Sequence, residues 1–238
     1  MNQTGYLYLI PCALGDVSLN RCLPEFNLEI IKSLDEFIVE NVRSARRFLI
    51  KVGISTPIED ITFHLLNEHT DTTVINEYLE NIKLGKNIGV LSDAGCPGIA
   101  DPGAAIVRLA HNQNIKVIPL VGPSSILLAL MASGMNGQQF SFHGYLPKQT
   151  LERIKKLKQL EAETNKDGRT NMFIEAPYRN DSLIKDILSA CRPETMLCIA
   201  SDITLASEQI HTLSIGEWKN RKITLNDHPA IFLIGKII

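Results

Sequence analysis

Four short apolar runs, YLYLI (6–10), FIV (37–39), IGVL (88–91) and VIPLV (117–121), are separated by stretches long enough for a helix and its loops. Runs of three to five Val, Ile, Leu and aromatic residues have strand length, and the intervening segments carry helical spacing. Such alternation reads as parallel strands joined by helical crossovers, a mostly parallel sheet with helices on both faces. Helix starts are signalled chemically as well. Thr56-Pro57-Ile58-Glu59 has the form of a capping box with proline at the first helical position. Asp101-Pro102-Gly103 precedes AAIVRLAHNQ, and Gly122-Pro123-Ser124 opens SILLALMAS, which Gly134 closes.

From about residue 140 the texture changes. QFSFHGYL and NMFIEA read as strands around the charged helical stretch LERIKKLKQLEAETNK, and ILSACRPETMLCIAS, EQIHTLSIGEW and PAIFLIGKI follow. A second α/β lobe with a mixed sheet is expected, with lobes spanning 1–120 and 121–238. A chain of 238 residues, 45% hydrophobic, can supply one large core or two modest ones. Its formal net charge of -2 exerts no global pull on nucleic acid or anionic membrane, so a polyanionic partner must meet a local patch. Five scattered cysteines with no C-x-x-C pair indicate neither a disulfide framework nor a zinc ribbon, and fit a reducing cytoplasm. The N-terminal apolar run lacks a basic flank and is broken by Pro11 and Gly15, too short for a signal peptide or membrane span.

One connection stands out from ordinary loops. GVLSDAGCPGIADPG (89–103) leaves an apolar run and then crowds glycines, prolines and two carboxylates together. In an open α/β sheet, ligands sit at the carboxyl ends of the strands, where glycines let backbone approach closely and carboxylates accept hydrogen bonds. A tight turn with a helix cap explains the same residues, and Asp101 suits the cap better than a ligand contact. PCALGD (11–16) and GPSS (122–125) lie at the same edge. FIEAPYR (173–179) ends a strand in Glu175, which reads equally as a site carboxylate and as the partner of Arg179 in a turn-fixing salt bridge. No G-x-G-x-x-G, P-loop, H-E-x-x-H or G-x-S-x-G pattern is present, which disfavours dehydrogenase, kinase, metalloprotease and serine hydrolase chemistry, and no metal is expected.

In order and spacing, GYLYLIPCALGD, GVLSDAGCPGIADPG, VIPLVGPSSILLALMASG, FSFHGYLPK and FIEAPYR resemble the tetrapyrrole methylase superfamily of S-adenosylmethionine-dependent methyltransferases. Their nearest likeness is to the ribosomal RNA small subunit methyltransferase I group. The resemblance covers nearly the whole chain. It implies a two-lobed α/β homodimer holding S-adenosylmethionine in a cleft between its lobes. Carried over by motif, the cofactor site would comprise Leu14, Asp93, Gly95, Cys96, Ile99, Ser124, Ser125, Ala176, Pro229 and Ala230.

Methyl transfer from a sulfonium needs little acid-base machinery beyond in-line placement of the acceptor, and Glu175 and Glu40 are the candidates for orienting it. The implied acceptor is ribosomal RNA at a ribose 2'-oxygen, free or in the small ribosomal subunit. Several positions depart from the group's pattern. Cys96 stands where a threonine is usual, PCALGD replaces P-T-P-I-G-N, and VENVR replaces A-E-D-T-R while keeping Glu40 and Arg43. ASDITL replaces A-R-E-[LI]-T-K, and NDHPAIFLI replaces a K-G-E segment. Cofactor loops match better than acceptor-side residues, which leaves open methylation of a tetrapyrrole or other small molecule, or a non-catalytic protein that keeps the cofactor fold. Lys148, Arg153, Lys155, Lys156 and Lys158 are the remaining candidates for phosphate contact, with a solvated helix face as the competing reading.

Overall fold

All four N-terminal apolar runs become strands of one parallel sheet. In the computed structural model, which describes residues 4–67, 70 and 72–237, these are β1 (Tyr6–Ile10), β2 (Glu36–Val39), β4 (Ile88–Leu91) and β5 (Lys116–Pro119). A further strand, β3 (Thr62–Leu65), completes the order β3-β2-β4-β1-β5. Here the sequence signal misleads: Thr56 to Glu59 starts no α-helix. Residues Ile58–Asp60 form one 3-10 turn without a side-chain cap, and Thr62 N donates to Asp35 O at 2.9 Å. Pairing Glu36 with Thr62 and Val39 with Leu65 extends the sheet and overrides the local cap.

The strands are buried on both sides, so alternate residues feed two cores. Tyr8, Ile10, Phe37, Val39 and Leu91 pack with α1 (Glu25–Lys32) and α2 (Val42–Val52). Leu7, Ile38, Ile88 and Val90 pack on the opposite face, where the segment through α3 (Thr72–Ile75) and α4 (Glu80–Lys83) joins α5 (Gly103–Asn112). Gly89 makes room within β4 for its neighbours' side chains. A Cβ there would lie 2.6 Å from Ile10 Cδ1 and 2.8 Å from Phe37 Cδ1.

A second compact unit begins at Ser125, the first ending at Ser124. It opens with α6 (Ser125–Ser133), which Gly134 closes at φ 70°. Strands β6 (Phe140–Tyr145), β7 (Thr170–Ile174), β8 (Met196–Ser201), β9 (Gln209–Ser214) and β10 (Ala230–Gly235) form a sheet in the order β6-β7-β10-β8-β9. β6 and β7 pair in parallel and the other neighbours antiparallel, so this sheet is mixed. α7 (Thr150–Asp167), α8 (Asn180–Ala190) and α9 (Ile215–Trp218) cover one face through Leu157, Leu160, Leu183, Ile187, Ile215 and Trp218. Phe173 and Phe232 stack at 5.9 Å beneath them, and Trp218 Nε1 donates to Leu197 O at 2.8 Å. The opposite face receives α6.

Candidate functional site

Strand order determines where the N-terminal sheet opens. From β1 the chain proceeds toward one edge through β2 and β3, then returns to insert β4 beside β1 and continues to β5 at the other edge. The loops after β1 and β4 therefore diverge onto opposite faces, the arrangement that leaves a crevice at the strand ends. These loops are locked together by Cys12 N to Gly95 O at 2.9 Å and Gly95 N to Cys12 O at 3.1 Å. The loop after β5 joins them, because Cys96 Sγ donates to Pro123 O at 3.3 Å and Asn27 Nδ2 donates to Val121 O at 2.7 Å. Only glycine fits at 122, where a Cβ would meet the Pro11 ring at 2.2 Å.

The composition of the conspicuous loop follows from its geometry. Gly95 and Gly98 take the left-handed φ values of 74° and 81° that glycine adopts without strain. Asp101 Oδ1 accepts from Gly98 N at 2.7 Å and Gly103 N at 2.8 Å, so it pins the loop to the first residue of α5, although the N-cap position itself falls to Pro102.

A cavity of about 490 Å³ opens beside these loops, within the size range of small-molecule sites. Cys12 to Asp16 form one wall, Leu91 to Ala94 another, and Asn41, Ser44, Arg47, Phe48 and Lys51 of the α2 region a third. Asn41 caps α2, its side chain accepting from Arg43 N and Ser44 N at 2.9 and 3.2 Å. Glu40 Oε1 accepts from Ser92 Oγ and from Asp93 N, each at 3.1 Å. Burial raises the Glu40 carboxyl above its ordinary range, with Asp101 and Asp93 adding to the effect and the two hydrogen bonds opposing it. Burial also raises Asp93, against the lowering influence of a Ser44 hydrogen bond and the Arg47 charge. Two carboxylates held at the strand ends by partial desolvation prefer a partner that supplies hydrogen-bond donors or positive charge.

Of the expected residues, Leu14 and Asp93 line this cavity, Gly95, Cys96 and Ile99 belong to the loop beside it, Glu40 holds the Asp93 backbone, and Ser124 ends the loop after β5. The others lie in the second unit. Ser125 is the first residue of α6. Glu175 and Ala176 leave β7 where Pro229 and Ala230 enter β10, since Ile231 pairs with Ile174. Glu175 Oε1 accepts from Ala176 N at 2.8 Å and from Arg179 Nη2 at 2.5 Å, the salt bridge that formed one of its two readings. Its Oε2 is buried and has no hydrogen-bond partner among the described residues, and the same holds for Arg179 Nε, Asn180 Oδ1 and Thr204 Oγ1. Across the same sheet end Asp202, buried at φ 51°, binds His228 Nδ1 and Ser207 Oγ, each at 2.8 Å.

Ser44, Arg47, Phe48 and Lys51 were not anticipated as cavity residues. Their only sequence signal is the unbroken basic character of RSARRFLIK (43–51), and its relevance depends on the fold bringing α2 to the strand ends. Arg153, by contrast, is no phosphate contact. It is buried in an ion pair with Asp186 at 2.5 Å, and its guanidinium donates to Lys148 O at 3.1 Å. Among the described residues no cluster of His, Cys, Asp and Glu is placed to hold a metal ion, and no helix is long and apolar enough to cross a membrane.

No family model matches the chain. It is similar to the ribosomal RNA small subunit methyltransferase I of Escherichia coli O157:H7, with 30% identity over 216 residues covering 91% of this chain and 71% of the relative. The enzyme of the same name from Bacillus subtilis is 32% identical over 225 residues, covering 92% and 72%. The Pasteurella multocida protein of that name is 31% identical over 240 residues, covering 99% and 81%. Among solved structures, the methyltransferase CobJ superposes with a TM-score of 0.65 over 98% of this chain and 95% of its own, at 15% identity, which makes the fold the same.

Proposed function

Because the chain belongs to the ribosomal RNA small subunit methyltransferase I family of tetrapyrrole methylases, we propose that it is an S-adenosylmethionine-dependent methyltransferase acting on a ribose 2'-oxygen of ribosomal RNA. The observation that carries this reading is the bonding of three strand-end loops into one wall beside a cavity edged by Asp93. The residues present suit the cofactor. Glycines keep the wall thin, the partly desolvated carboxylate of Asp93 calls for hydroxyl or amine donors, and the cavity is large enough for part of a nucleoside. We assign cofactor contacts to Leu14, Asp93, Gly95, Cys96, Ile99 and Ser124 in the first unit and to Ser125, Ala176, Pro229 and Ala230 in the second, on their motif resemblance.

S-adenosylmethionine supplies a methyl group on a sulfonium that departs neutral. What the chain must add is placement of the acceptor oxygen in line with that group, and acceptance of its proton as the bond forms. Glu40, held by Ser92 and the Asp93 amide, and Glu175, whose Oε2 has no partner among the described residues, are the carboxylates assigned to this work. Cytoplasmic ribosomal RNA, free or in the small subunit, is the assigned partner.

The test has two stages. S-adenosylmethionine at one hundred times its dissociation constant should raise unfolding free energy by about 2.7 kcal/mol, read as a rise in melting temperature. Ribosomal RNA lacking its small-subunit methylations should then accept radiolabelled methyl. No thermal shift, or a shift without label transfer to RNA, overturns the reading.

The same reading includes a homodimer. α6 has no charged residue, and while Ala129 and Leu130 are buried, Met131 is 78% exposed. A helix apolar around its circumference is ordinarily covered on all sides, and a second copy offers a self-complementary cover. The wild type is expected to sediment as a dimer and Met131→Asp as a monomer; a monomeric wild type removes the dimer from the proposal.

A further inference from the structure

One strongly basic helix face borders the cavity with no acid on its own helix to neutralise it. α2 reads VRSARRFLIKV, four basic residues and no acidic one, in a chain of net charge -2. Arg43, Arg47 and Lys51 recur every four residues, so they share a face on which like charges repel. Arg43 also stands in the first turn, where the helix dipole disfavours a cation. Arg46 is engaged elsewhere, over the Phe63 ring at 5.7 Å, and Lys51 is tied through an exposed pair with Asp16 at 2.6 Å. Arg47 and Lys51 form part of the cavity wall. A row of like charges on one face, with Arg43 also opposed by the helix dipole, ends at a cavity, and a polyanion would relieve that repulsion.

Resting on the methyltransferase reading, we propose that Arg43, Arg47 and Lys51 are the track that grips the phosphate backbone of the acceptor RNA and leads a nucleotide to the cavity. Residues four apart on a helix rise by about 6 Å, a step close to that between successive phosphates of an extended strand. The row spans about 12 Å, more than one phosphate occupies. Guanidinium groups bind phosphate oxygens bidentately, and the exposed Lys51 pair is weak enough to exchange partners. α7 lacks these properties: Glu152, Glu161 and Glu163 are interspersed among its lysines, and Arg153 is turned inward to Asp186.

The experiment is fluorescence anisotropy of a labelled single-stranded RNA oligonucleotide with the full chain across a salt series. It compares wild type, R43A/R47A and the α7 variant K155A/K158A. The α2 variant should bind at least about tenfold more weakly at low salt, and its slope of log affinity on log salt should flatten by about 1.4, some 0.7 for each phosphate no longer neutralised. K155A/K158A should match wild type. Unchanged affinity and slope in R43A/R47A, a larger loss in the α7 variant, or binding of phosphatidylserine vesicles in place of RNA would each overturn the track. The circular dichroism of R43A/R47A should match wild type, because both side chains are exposed and neither belongs to a core. Thermal stabilisation of wild type by S-adenosylmethionine is read in parallel: a stabilised protein whose RNA binding ignores R43A/R47A removes the track alone, whereas a wild type indifferent to S-adenosylmethionine removes the methyltransferase reading.

Discussion

Asp93→Ala should lower affinity for S-adenosylmethionine by roughly 10- to 100-fold while leaving circular dichroism unchanged. Hydrogen bonds to an ionised carboxylate contribute about 1.5–3 kcal/mol, and each 1.4 kcal/mol is a factor of about ten in affinity. Fold should survive because the Asp93 backbone amide keeps its bond to Glu40, and the exposed side chain supports no core. The pH dependence carries a definite sign. Burial raises the folded-state Asp93 carboxyl above its unfolded value, so its contribution to stability is fully present in acid below the unfolded value and is lost as pH rises through the folded one. With the ionised carboxylate as the proposed cofactor contact, wild-type affinity should decline as pH falls through the raised value, and the alanine variant should lose that dependence. Isothermal calorimetry from acid to neutral pH reads both effects; wild-type affinity in the variant would show that the carboxylate does not contact the cofactor.

Phe37→Ala should cost about 3–5 kcal/mol, the range for emptying a buried aromatic site. Phe37 is fully buried in β2, stacks on Phe63 at 6.3 Å and fills the space that Gly89 leaves on the adjacent strand. At about 2–4 °C per kcal/mol for a protein of this size, the melting temperature should drop by roughly 6–20 °C. Gly89→Ala alone should also destabilise, by about 1–3 kcal/mol, because its new methyl collides with the ring. Residues in contact couple, so the double variant should lose less than the sum of the two single losses. Strict additivity in denaturant unfolding would show that the ring and the glycine do not share a space.

Much of this was legible in the chain for a physical reason: strands buried on both faces have no polar side to interrupt them, so YLYLI, IGVL and AIFLIG announce themselves. Loops whose backbone needs left-handed φ or close approach require glycine, and Gly95, Gly98 and Gly122 were visible on that account. β3 was not visible. TFHL has only four residues, is partly exposed, and follows a segment whose local chemistry favours a helix start, so the decision rests on pairing with Glu36 to Val39. The α2 wall was hidden for a similar reason, since no periodicity says which helix stands over the strand ends. Glu175 illustrates a third case. Its turn-fixing salt bridge to Arg179 forms through Oε1, while Oε2 stays buried without a partner among the described residues, and no sequence pattern could separate the two atoms.

The wall of the cavity also contains a sulfur. Cys12 is buried there, and burial, followed by the negative charges of Asp93 and Glu40, holds its thiol well above the ordinary range. A thiolate is the reactive form of cysteine, and a methyl sulfonium is an alkylating agent. Burial first, and the charges of Asp93 and Glu40 after it, thus keep Cys12 in its protonated, unreactive form at the wall of this cavity.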